Sequence, residues 1–273
     1  MTQAFEAGRD GASSIGSLLQ YWRKARNLSQ LALATEADVS PRHVSFLETG
    51  RAKPSRDMVV LLATVLRVPL RERNLLLLAA GYAPLYQEAR LDAPELGPVR
   101  AALELILKQQ EPFPAVVMNR HWDILEMNQA AKRFFGKLLG ARAPAKPNVL
   151  RLMFDPELLR PLVEDWEVIA EMLVERLHRE ATGGVKDAPT VALLREILAY
   201  PGVPARLRRP NLGVPLVPVL PVRFRHQQTT YDYFSTVTTL GTPQDVTLEE
   251  LRIECFFPAS PATERLARAE ANE

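Results

Sequence analysis

A short stretch between Gln30 and Lys53 holds side chains whose types and spacing could read a nucleic acid. A guanidinium such as that of Arg42 can offer two parallel hydrogen bonds to guanine O6 and N7, worth roughly 1–3 kcal/mol of discrimination between bases. His43, beside it, can donate or accept at a base edge. Ser40 suits the cap of the helix that would carry both, and Pro41 suits its first position, where a missing N–H costs nothing. Gln30 falls in the first turn of the preceding helix, behind Ser29 as its cap, where an amide can meet a phosphate or a base edge. Arg51 and Lys53 follow Gly50, a C-terminal stop, and suit phosphates.

The charge distribution supports that chemistry. Between Gly16 and Arg56 stand Arg23, Lys24, Arg26, Arg42, Arg51, Lys53 and Arg56 against Glu36, Asp38 and Glu48, a local surplus of +4 on a chain whose net charge is +2. A basic patch on a near-neutral protein is the footprint of a DNA-reading module.

The elements that must position these residues are short helices over residues 16–81, separated by breakers. Ala34 is small enough for close helix packing. Asp38 stands where the chain must turn, and Asp tolerates positive φ better than most residues. Val44 and Leu47 fall on the inward face of the third helix, with Arg42, His43 and Phe46 elsewhere. Pro54-Ser55 opens a fourth helix, and a fifth runs over about 71–80.

The string S-Q-x-x-L-A-x-x-x-x-V-S-x-x-x-V-S-x-L-E-x-G-R-x-x-P-S, from Ser29 to Ser55, resembles the Cro/repressor-type (XRE) helix-turn-helix family. The resemblance implies an all-α fold of five helices whose third helix lies in the major groove. It implies that Pro41, Arg42 and His43 face base edges and that Gln30 touches the backbone and its neighbour. It also implies that Arg23 and Glu48 pair inside the domain. Two positions depart from the pattern: Asp38, where the family usually has Gly, and Pro41, where many members carry a polar base reader. More of the reading then falls to Arg42 and His43.

At 273 residues the chain has room for a second domain. The run Gly81 to Pro84 ends the first, residues 82–98 form a linker, and residues 99–260 follow with another rhythm. Leu96, Val99, Leu103, Ile106 and Leu107 make a one-sided helical stripe, to be packed on the second domain or shared with a partner subunit. Residues 115–119 and 124–127 are two strands about a turn at His121-Trp122-Asp123. Asn128 caps a helix over 129–139. Helices over 156–181 and 189–199 and strands over 219–225, 230–239 and 251–257 complete an α+β arrangement with an antiparallel sheet. Pro215, Pro218 and Pro221 mark loop or sheet edge, since proline cannot donate to a ladder. Residues 1–15 are expected to be disordered and 261–273 to form a polar tail.

Trp122-Asp123-Ile124-Leu125 with Asn128, within Val116 to Phe135, is similar to the start of a PAS-like domain. Asn148 to Phe154, then Asp165-Trp166, resembles the C-terminal domain of MmyB-like transcription regulators. The resemblance covers about 105–260 and implies a small apolar ligand, fatty-acid-like in some members. The candidate contacts are Trp122, Asn128, Phe134, Phe154, Trp166, Tyr231 and Tyr233, with Arg151 or Arg195 as the cation for a carboxylate. The proline run before Val219 departs from the pattern and bears on the pocket mouth.

His43, His121, His178 and His226 stand in no metal-ligand spacing, and Cys255, the single cysteine, lies in an apolar strand. Nucleophile-elbow and phosphate-loop motifs are absent. The expectation is a non-catalytic, cytoplasmic, homodimeric regulator that reads a palindromic operator and needs no cofactor beyond such a ligand. The alternative is a second domain that serves only dimerisation or partner binding.

Overall fold

Serine hydroxyls begin the first four helices. Ser14, Ser29, Ser40 and Ser55 each accept a backbone N–H at the starts of α1 (Ile15–Ala25), α2 (Gln30–Glu36), α3 (Pro41–Glu48) and α4 (Arg56–Val65). Each satisfies one of the donors that a helix start leaves unpaired. The fifth helix, α5 (Leu70–Ala79), follows Pro69, which has no side-chain acceptor. There the Glu249 carboxylate accepts the Leu70 N–H at 2.7 Å. The computed structural model that shows this describes residues 14–183, 187–211, 219–241 and 243–272. The expected disorder over 1–15 lies mostly outside them.

The chain divides into two units. The first holds α1 to α5 and the described residues through Glu88, together with 243–249. That last segment is held by the Val246 N–H, which donates to the Gln87 carbonyl at 2.8 Å. The boundary expected at 82–98 is therefore not the only crossing, because a piece of chain far along the sequence completes the helical unit.

Leu19, Leu33, Val44, Leu47, Leu62 and Leu77 form the first core. α1 crosses α3 at Gly16, where a Cβ would stand 2.5 Å from the Glu48 carbonyl oxygen. The turn from α2 to α3 passes through Asp38 at φ 53°, the left-handed geometry the sequence requires there. Inside lies a charged group. Glu48 has a side chain only 1 % exposed and accepts from Arg23 Nε at 2.6 Å and Nη2 at 2.8 Å, and from Gln30 Nε2 at 2.8 Å. Burial alone would push its carboxyl up, but the hydrogen bonds from Arg23 and Gln30 and the charges of Arg23 and Lys24 outweigh it and hold it below its ordinary value.

The second unit is α+β. Its elements are α6 (Gly97–Gln109), β1 (Ala115–Met118), β2 (Ile124–Met127), α7 (Gln129–Leu139), α8 (Val149–Phe154), α9 (Trp166–Thr182), α10 (Ala188–Ala199), β3 (Val219–His226), β4 (Thr229–Thr238), β5 (Arg252–Pro258) and α12 (Pro261–Glu270). The short α11 (Val246–Glu250), which follows β4 and precedes β5 in the chain, belongs to the first unit up to Glu249. The five strands are antiparallel in the order β2-β1-β5-β4-β3. Pro221 sits on β3, the edge strand, as a residue without an N–H should. Pro215 and Pro218 lie outside the described residues.

Asn128 caps α7 and does more. Its Oδ1 accepts the Ala131 N–H at 2.8 Å and the Ala115 N–H at 3.0 Å. Its Nδ2 donates to the carbonyls of Phe113 at 2.8 Å and Leu107 at 3.2 Å. One buried amide thereby ties α6, β1 and α7 together.

Two helical expectations change. The stretch 156–181 is not one helix, since α9 starts only at Trp166, after Pro156 and Pro161 and an entry through Asp165 at φ 50°. The six-residue α8, too short to show a period, precedes it with Asn148 as its cap. The polar tail over 261–273 instead carries α12, capped by Ser260, with Pro261 in its first turn and Thr263 and Ala267 buried.

Two outcomes are expected. Glu48→Gln leaves Arg23 buried against a neutral partner and should lower the stability of the first unit by about 3 kcal/mol at neutral pH. Because the folded carboxyl is depressed, its contribution is complete above about pH 4.3 and is lost as the pH falls through the folded value. Hydrogen exchange of the α1 and α3 amides in the full chain should thus show the two proteins converging in acid. Asn128→Ala strands two donors and two acceptors and should cost the second unit about 3 kcal/mol or more in urea unfolding.

Candidate functional site

α3 carries the first site. Arg42 and Pro41 are exposed at its start, next to the exposed Ser40, and His43 is half-buried. Ser40 Oγ accepts the His43 N–H at 3.1 Å and so fixes the first turn. Arg51 and Lys53 are exposed in the loop beyond α3. Phe46, one turn after Arg42, lies under two guanidiniums: Arg42 at 5.1 Å and Arg51 at 5.9 Å from its ring centre. The aromatic face attracts both cations and orients them. The i, i+4 spacing of Arg42 and Phe46 carried that signal in the sequence. Gln30 is held inward by Glu48, so its donor N–H group serves the Arg23–Glu48 pair.

The second site is a cavity of about 610 Å³ on one face of the sheet. Alternation along the strands builds its floor. Val116 of β1, Ile124 of β2, Leu220, Val222 and Phe224 of β3, Ser235 and Val237 of β4, and Glu254 and Phe256 of β5 all line it. On β1 and β5 the intervening Ala115, Val117, Ile253 and Cys255 are also buried. Residues of α7, α8 and α9 close the other side: Phe135, Val149, Leu152, Met153, Val168, Met172 and Leu173. Size and apolar lining match small-molecule sites.

Trp122 stands at the wall. It occupies the β1–β2 turn at φ 67°, a conformation an aromatic residue holds only when its surroundings fix it. They do. Its indole N–H donates to Glu180 at 2.8 Å, and the guanidiniums of Arg176 and Arg252 lie 4.8 and 5.3 Å from its ring centre. Its carbonyl accepts the Val149 N–H at 2.9 Å, which fastens the start of α8 to the turn.

Of the expected ligand contacts, the structure brings only Trp122 to the cavity. Asn128 is consumed by its four backbone partners. Phe134 is the hub of an aromatic cluster with Phe135, Phe224, Tyr231 and Tyr233. The Tyr231 hydroxyl donates to Glu270 on α12. Phe154 packs edge-on against Trp166, whose indole N–H donates to the Met153 carbonyl. Arg151 forms a two-pronged pair with Glu196, at 2.7 and 2.9 Å, and Arg195 is exposed. The cation that does line the cavity is Arg176, and its polar floor is Ser235 and Glu254. These three were not singled out in the sequence. The only signal was alternation, which places Glu254 on the same strand face as Phe256.

A family model for the MmyB-like transcription regulator ligand binding domain matches residues 99–269, and a helix-turn-helix family model matches residues 19–73. No curated protein matches the chain. A solved structure described as an RNA-binding Light-Oxygen-Voltage Receptor aligns at 13% identity over 93% of this chain and 61% of that one, with a TM-score of 0.28. The chain thus spans about three fifths of that structure's length, and at that score the likeness bears on neither fold nor function. With the ligand-domain match extending over more than half of its length and a helix-turn-helix before it, the chain belongs to the MmyB-like transcription regulators, DNA-binding proteins with a C-terminal ligand-binding domain.

Proposed function

We propose that this chain is a non-catalytic, cytoplasmic, homodimeric regulator that reads a specific operator through α3 and is controlled by a small amphiphile with a fatty-acid-like chain. The observation that carries the reading is the apolar cavity of about 610 Å³ in a chain that also carries an exposed Arg42 and a half-buried His43 at the start of α3. In a two-fold dimer the two copies of α3 would lie about 34 Å apart and meet a palindrome. A ligand that favours one arrangement of the dimer shifts the population and with it the operator affinity. Arg42 reads bases, His43 assists, and Arg51 and Lys53 hold phosphates.

Capture of genomic fragments by the purified full chain should return a palindromic motif, and Arg42→Ala should weaken binding to it roughly 10- to 100-fold. Arg51→Ala should weaken binding to all sequences alike and flatten the slope of log K against log salt by about 0.9. Salt-sensitive binding without a motif, unchanged by Arg42→Ala, would remove α3 from the role of base reader.

Native mass spectrometry of the full chain should find a retained apolar molecule, and Val237→Trp, which fills the cavity, should lose it. A chain that takes up no apolar compound under any condition would leave the second unit to dimerisation or partner binding.

A further inference from the structure

The cavity lining is mostly apolar, but it includes Ser235, Thr239 and the charged side chains Glu171, Glu175, Arg176 and Glu254. Ser235 and Glu254 are diagonal neighbours on the cavity face, because Ser235 pairs with Phe256 and Val237 with Glu254 across β4 and β5. Glu254 is only 7 % exposed, with Ser235 beside it on the same face. Burial pushes that carboxyl up from its ordinary value, and Arg176 is the charge that offsets the shift in part. Among the described residues no cation comes within ion-pair distance of it.

The other charged groups on the cavity wall are Glu171, Glu175 and Arg176. Glu171 faces Arg206 at 3.6 Å. Glu175 accepts the Asn211 N–H through both oxygens, at 2.9 and 3.0 Å. Arg176 lies 3.3 Å from Glu180, a carboxylate it shares with Arg252 and the Trp122 indole. An entering carboxylate would therefore meet three carboxyl groups and one guanidinium that already has a partner. A buried carboxyl with only a serine beside it has acceptor capacity to spare, and a buried polar group gains most from a donor brought to it.

We infer that Glu254, with Ser235 beside it, receives an N–H head group, so that the cavity takes an apolar-chain amine or primary amide in preference to the carboxylate of equal length. This rests on the reading of the cavity as the ligand site. Glu254 is the specificity-determining residue: it accepts the head-group N–H, while the hydrocarbon chain runs along Val222, Phe224, Leu152 and Met153.

The test is calorimetric titration of the full chain at neutral pH with dodecanoate, dodecanamide and dodecylamine. The wild-type protein is expected to bind the amide, the amine or both about ten-fold more tightly than dodecanoate. Glu254→Gln should keep amide binding and lose any advantage of the amine. Glu254→Leu should bring all three within a few-fold of one another. Thermal melting by circular dichroism checks that the variants fold, and if Glu254→Leu does not, the wild-type order and Glu254→Gln decide. Dodecanoate binding as tightly as the nitrogen compounds, or an order unchanged in the variants, overturns the head-group assignment and leaves the cavity as a ligand site. Binding of none of the three removes the cavity from that role, and the inference falls with it.

Discussion

A carboxylate shut away from water organises the DNA-reading unit. Glu48 ends α3, and the only way to keep its charge inside is to surround it with donors. Arg23 comes from α1 and Gln30 from α2, so satisfying one group forces three helices into a single arrangement. A buried ion pair of this kind adds little net stability over an apolar one, but breaking it is expensive, which makes alternative packings unfavourable. The consequence is geometric. With the end of α3 anchored inward and its start fixed by Ser40 and Pro41, the face carrying Arg42 stays outward, and Phe46 holds the two guanidiniums at its edge.

The second unit solves a related problem with neutral groups. The Asn128 amide meets four backbone groups at the place where α6, β1 and α7 converge. The Trp122 turn is held from all sides by Glu180, Arg176, Arg252 and the start of α8. Such rigid corners allow the sheet and the helices to stand apart over an interior that side chains do not fill. Most cores close to crystal-like density, and an apolar cavity of this size has the dimensions of small-molecule sites.

Much of the first unit was legible because its signals are local. Serine caps, a proline at the start of a helix, Gly50 as a stop and the spacing of Val44 and Leu47 all act within one or two turns, and so read directly from the chain. The family pattern supplied the Arg23–Glu48 pair, which spacing alone does not. What stayed hidden was the supply of the α5 cap by Glu249, since nothing near Pro69 in the sequence points to a residue so far along the chain. In the second unit the strands and the Asn128 cap were visible from β-forming residues and capping chemistry. The break between α8 and α9 was not, because short helices carry too little periodicity to separate from the turns around them.

By itself the sequence determined the element types: a five-helix unit with Arg42 and His43 at the head of its third helix, then an α+β unit with an antiparallel sheet. It could not place the ligand residues. Aromatic and charged side chains look alike in a sequence whether they fill a core, pair at the surface or line a space. Tertiary packing assigned Phe134 and Tyr233 to the core and Arg151 to a surface pair with Glu196. Packing likewise brought Glu254, Ser235 and Arg176 to one cavity from β5, β4 and α9, positions far apart in the chain. Which side chains line a cavity is a property of how sheet and helices meet, and no local pattern encodes it.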